Sequence, residues 1–224
     1  MRPTSVPTRT GTSGLRSVVR TTDRRRRLTR YLPHQAPPRL LADPAFRTGF
    51  RHLAQRGLSF DAALFHHQLP DLADLADAFP NASIVLNHCG LPATLDAAAA
   101  GSAAVFNDWR QALREVARRP NIICKISGFG LPFYGFGFDT RTDTVGHREL
   151  AAAWTPYVET AIEVFGAGRC MMASDYPADS QSSGFVPLWN ALKFIVRSAT
   201  AEEKAALFHD TAQRVYRIGK TRQH

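Results

Sequence analysis

Three apolar runs along the chain end in polar or titratable residues at the same relative place. Cys170-Met171-Met172-Ala173-Ser174 closes on Asp175, with Pro177 two positions later. Ile84-Val85-Leu86-Asn87 closes on His88, followed by Cys89-Gly90. Ile122-Ile123-Cys124-Lys125-Ile126 carries a lysine inside and closes on Ser127-Gly128. Short, nearly continuous apolar runs of this kind are how strands buried on both faces read in sequence. Three of them, each delivering a titratable group to its C-terminal end, predict one shared site above a parallel sheet or barrel.

Between these runs the apolar spacing changes to that of helices. Asp43-Pro44 predicts an N-cap and first turn, Phe46, Phe50, Leu53 and Ala54 follow at helical spacing, and Gly57 stops the helix. Leu58 to Phe65 reads as a strand ending at His66-His67-Gln68. A second helix runs from Pro70-Asp71 to Phe79, and a third from Trp109 to Arg118 with Leu113 and Val116 inward. Residues 91–105 read as a loop of small residues, with a short helix within it as the alternative. Residues 128–146 form a loop rich in glycine and aromatics, which would cover a substrate or simply pack. Glu149 to Phe165 is a long helix, Asp179 to Gly184 a polar loop, and Phe185 to Ser198 and Ala201 to Tyr216 are the last two helices. The strand–helix alternation predicts an α/β protein built of βαβ units with a parallel sheet. A further strand at residues 14–19 brings the count to five, and residues 21–39 read as loop.

Composition divides the chain. Residues 1–40 hold ten arginines and one acid, Asp23, and carry the whole formal charge of +9; the rest is balanced. The high isoelectric point therefore belongs to a basic, Pro/Arg-rich N-terminal segment, expected to be disordered or irregular. It is followed by a folded body over residues 41–218 and a tail over 219–224. The body has no net basic charge to suggest a nucleic-acid face. No apolar run reaches the ~18 residues of a membrane span, and Pro3, Pro7, Pro33, Pro37 and Pro38 argue against an amphipathic leader helix. Cys89, Cys124 and Cys170 are odd in number and without a CxxC pair, so buried free thiols and a cytoplasmic location are expected.

The strand ends hold the candidate chemistry. Asp175 reads as a general base for water or a metal ligand, with a helix cap or structural ion pair as the plain alternative. His88 reads as a metal ligand or substrate hydrogen bonder, or as a satisfied core histidine. Lys125 is costly inside an apolar strand unless paired. It would polarise a carbonyl or hold a carboxylate, or else snorkel from a strand end. His66 and His67 are neighbours, so in a strand only one would face a site. No nucleophile elbow, phosphate loop or dinucleotide fingerprint is present.

Taken together, Phe60-Asp61, His67-Gln68-Leu69-Pro70, Val85 to Pro92, Cys124 to Gly128, Ala173 to Pro177 and the ending Leu207 to Tyr216 resemble the amidohydrolase-related family over about residues 40–218. The resemblance implies a TIM-like (β/α)8 barrel and a hydrolase, such as a lactonase, acting on a small molecule. It also implies that His67, His88, Lys125 and Asp175 follow strands five to eight. Asp175, His88 and Lys125 would then be catalytic, and His67, Ser127 and Arg16 would bind substrate. His67, His88 and Asp175 would ligate a divalent metal such as zinc if the enzyme is one of the metal-dependent members.

The departures are equally specific. The family's His-x-His pair is absent, and five strands fall short of eight by roughly 80–100 residues of βα units. The chain therefore reads as the C-terminal part of a barrel, an N-terminally truncated fragment. Two rival expectations follow: an inactive remnant that self-associates through an open barrel edge, and binding of an acidic partner by the arginine-rich arm.

Overall fold

The computed structural model describes residues 27–31, 39–92 and 101–219. Among the described residues five strands form one sheet: β1 (Arg27–Tyr31), β2 (Ser59–Ala63), β3 (Ser83–Asn87), β4 (Ile122–Ile126) and β5 (Cys170–Met172). All neighbours are parallel, and their spatial order is their chain order. A doubly wound sheet reverses its order at a switch point; this one does not, so it curls one way as a barrel wall does.

The helices are α1 (Pro44–Gln55), α2 (Leu69–Ala78), α3 (Ala103–Ala117), α4 (His147–Phe165), α5 (Phe185–Ile195), α6 (Ala201–Ala205) and α7 (Thr211–Tyr216). A π-turn, Ala206–Asp210, joins the last two. Asp43 caps α1 as its sequence predicts, accepting from the Phe46 N–H at 2.8 Å with Pro44 in the first turn.

The strands divide by parity. Phe60, Ile84, Leu86, Cys124 and Met172 belong to the core beneath the helices, where Trp109 and Trp154 are wholly buried. The alternate positions, among them Asp61, Asn87 and Lys125, lie on the other face. The aromatics of residues 128–146 join the packing. Phe129 stacks on Trp154 at 5.4 Å, and Tyr134, with no exposed surface, meets Tyr157 at 5.5 Å.

Several sequence expectations need correction. Arg27–Tyr31, read as loop, is β1, with Leu28 opposite Phe60; its arginines hid the extended backbone behind a charge run. The predicted strand at 14–19 lies outside the described residues, as does most of the arginine-rich arm. His66 and His67 stand in a 3-10 turn, not a strand, because the Gln68 carboxamide accepts from the Phe65 N–H at 2.9 Å and ends the run there. Helix α3 begins six residues before Trp109, where the Ser102 hydroxyl accepts from the Val105 N–H at 3.3 Å.

Candidate active site

The face opposite the helices opens into a cavity of about 610 Å³, whose lining includes Asn87, His88, Lys125, Ser127, Asp175 and Tyr216. Four of the residues singled out in the sequence therefore meet in one place: His88, Lys125, Ser127 and Asp175. His67 does not line this cavity; it is exposed and stacks on Phe65 at 5.8 Å. Arg16 lies outside the described residues.

His88 follows β3 directly, in a turn that runs from His88 to Gly90. His88 and Cys89 take left-handed backbone angles (φ 54° and 52°), rare for residues with side chains. Three donors fix this turn through its carbonyls. Tyr134 Oη donates to His88 O at 3.0 Å, Trp109 Nε1 donates to Cys89 O at 2.8 Å, and the Leu91 N–H closes onto His88 O at 3.0 Å. The ring is 3.0 Å from Ser127 Oγ through Nδ1, a bond whose donor depends on the tautomer, and 3.8 Å from Asp175 Oδ2. Gly128 permits this: its φ is +77°, and a Cβ there would stand 2.5 Å from His88 Nδ1.

Asp175 stands three residues past β5, after Ala173 has added one more bond to Ile126 O at 3.0 Å. Its backbone is left-handed too, with φ 51°. Burial pushes its carboxyl up to about 6, while the Lys125 ammonium draws it back down. Such a carboxylate takes a proton more readily near neutral pH than an exposed aspartate does.

Lys125 lies within β4 and is paired. Nζ donates to Asp61 Oδ2 at 2.5 Å, reaching across β3 to β2, and stands 5.2 Å from the centre of the Tyr216 ring. Tyr216 Oη donates to the same carboxylate oxygen at 2.8 Å. Sequence reasoning missed Asp61 as this partner. The available signal was a carboxylate inside Ser-Phe-Asp-Ala-Ala, as costly to bury alone as the lysine.

The thiols are structural. All three are buried and free, and the thiol of Cys124 is raised well above its usual range by hydrogen bonding with Cys170 and Cys89 and by burial. Its reactive thiolate form is thereby suppressed.

Among the described residues no three His, Cys, Asp or Glu side chains stand close enough to hold a metal ion. His88 and Asp175 offer two candidate ligands, short of the three protein ligands of a catalytic zinc centre. The described residues alone therefore do not fit a metal.

A singly wound parallel sheet thus carries a histidine, a lysine and an aspartate towards the C-terminal ends of successive strands, the end at which barrel enzymes place their sites. The chain belongs to the Amidohydrolase family, whose model matches residues 10–218. It is 36% identical over 181 residues to the uncharacterized protein y4mH of Sinorhizobium fredii, covering 81% of this chain and 54% of that one. It is 28% identical over 193 residues to an L-fucono-1,5-lactonase of Burkholderia multivorans, covering 84% and 61%. Among solved structures it resembles an amidohydrolase of Burkholderia multivorans with bound HEPES (TM-score 0.74, 26% identity, 86% of this chain and 64% of that one). A zinc-bound crystal form with the same description has a TM-score of 0.72. The chain thus spans little more than half the length of the curated relatives it matches. No helix among the described residues is long and apolar enough to cross a membrane.

Proposed function

We propose that this site hydrolyses a lactone or a similar small carbonyl ester, with Asp175 as the base. The observation that carries the proposal is the raised carboxyl of Asp175, pushed up to about 6, with its Oδ2 3.8 Å from His88 Nδ1 in the same cavity. The family and the lactonase relative support the reaction class.

Asp175 takes a proton from water as the water oxygen bonds to the carbonyl carbon, and the carbonyl electrons move to its oxygen. Lys125 lends positive charge to the cavity wall. Asp61 holds the ammonium on β4 and offsets part of that charge, so its effect on the developing oxyanion is moderate. The Ser127–His88 pair fixes the ring so that it can hydrogen-bond the substrate. Collapse of the adduct breaks the ring carbon–oxygen bond, and the proton held by Asp175 passes to the leaving alkoxide. With only His88 and Asp175 as candidate ligands among the described residues, no step here is assigned to a metal.

The test is hydrolysis of L-fucono-1,5-lactone, and of a panel of simple lactones, by the full chain and by Asp175→Asn. Turnover by the wild type that is lost in the variant supports the proposal; turnover that survives the substitution refutes the role of Asp175. A second reading, a body that does not turn over substrate alone, is favoured by the two-ligand count. Among the described residues β1 and β5 each pair on one side only, and such edges favour association with further strands. Sedimentation of the full chain distinguishes a monomer from edge-paired species.

A further inference from the structure

Asp179 is 2% exposed and does not line the cavity. It lies in the short 3-10 turn Ala178–Gln181, just after Asp175. Its N–H donates to Asp175 O at 3.2 Å, and its own carbonyl accepts from the Ser182 and Ser183 N–H groups at 3.1 and 3.3 Å. The loop after β4 is pressed against it. A Cβ on Gly130 would stand 2.7 Å from Asp179 Cβ and 2.8 Å from its Cα and Cγ. Ser182 Oγ donates to Gly130 O at 2.5 Å, so the glycine is held on its carbonyl side. Burial pushes the Asp179 carboxyl up to about 7; the Gly130 and Gly128 N–H groups favour its ionised form, and the Asp175 carboxylate opposes it. Asp179 Oδ1 has no hydrogen bond among the described residues. Just upstream, Gly128 and Ser127 touch the His88 ring, as described above.

Residues 127–130 are therefore wedged between Asp179 on one side and His88 on the other. We propose that Asp179 is a positioning residue: its buried side chain clamps the loop after β4 onto the turn after β5, and so sets the spacing of Asp175 from the His88–Ser127 pair. A buried carboxylate with an unbonded oxygen is expensive. The proposal rests on the reading of Asp175, His88 and Ser127 as the reacting groups.

The test uses the full chain with Asp179→Ala, Asp179→Asn and Gly130→Ala. Imidazole 15N spectra at one fixed pH report the tautomer of His88, assigned by its loss in His88→Gln, and hydrolysis of L-fucono-1,5-lactone reports kcat and KM. In Asp179→Ala the His88 signals move towards a tautomer average. In the same variant kcat falls at least about tenfold with KM within about twofold, the signature of misplaced groups rather than lost binding. Asp179→Asn, which keeps the shape and one acceptor, restores most of both. A folded Asp179→Ala with unchanged His88 signals and kcat overturns the proposal. If that variant does not fold, Gly130→Ala decides: displaced His88 signals support the clamp and unchanged ones refute it. If the wild type hydrolyses no lactone, the lactonase reading falls, and the His88 spectra still decide this one.

Discussion

Lys125 and Asp61 meet across β3, Nζ to Oδ2 at 2.5 Å, both buried, with Tyr216 donating to the same oxygen. This pair ties β4, β2 and the last helix together directly beneath the site. Removing one partner strands the other charge in the interior, which costs ~3–5 kcal/mol, whereas replacing both by apolar groups is often neutral. Asp61→Ala should therefore be destabilised by that amount in urea unfolding, and Asp61→Leu with Lys125→Met by much less. Equal losses in the two would show that the pair is not the element that matters.

Tyr216→Phe removes one hydroxyl and keeps the ring beside the Lys125 ammonium. The expected loss is ~1.5–3 kcal/mol, the range for a hydrogen bond to a charged acceptor. A midpoint shift in denaturant at constant slope measures it.

Gly128→Ala puts a methyl 2.5 Å from His88 Nδ1, at a φ of +77° that alanine resists. The ring must move or the loop must rise. Overpacking of this kind costs ~1–3 kcal/mol. Lactone turnover should fall by more than stability explains, because the displaced group is His88 itself. Gly137→Ala, also at positive φ but with open space around it, controls for backbone strain alone.

Asp175 and Asp179 both have carboxyls raised by burial, from 3.8 to about 6 and about 7. Each binds its proton more tightly in the folded chain than in the unfolded one. Their contribution is thus fully present below about pH 4 and is lost as pH rises through 6 to 7. Asp179→Asn has no such proton to lose, so its stability should decline less than the wild type's between pH 4 and 7. Parallel stability curves for the two proteins would contradict the shift.

Much of the architecture was legible because strand ends and helix caps are local signals. The apolar runs before His88, within which Lys125 lies, and before Asp175 mark three of the five strands, and Asp43-Pro44 marks α1. Four of the candidate residues were found this way and do share a cavity. What remained hidden depends on partners distant in sequence. Asp61 and Lys125 are 64 residues apart, and a lone carboxylate in a strand does not announce its cation. β1 was masked by arginines that look solvated, although its backbone pairs with β2 along its whole length. Asp179 read as a residue of a polar loop. Its burial comes from Gly130, nearly fifty residues upstream, whose missing Cβ makes the room.

The central claim is that Asp175 acts as the base, and the pH dependence of kcat/KM for lactone hydrolysis tests it most directly. The base must be ionised, so the rate should fall as pH drops through about 6, the value to which burial lifts this carboxyl. Asp175→Asn should abolish turnover together with that acid limb. An acid limb that persists unchanged in an active Asp175→Asn protein would assign the base elsewhere and contradict the account.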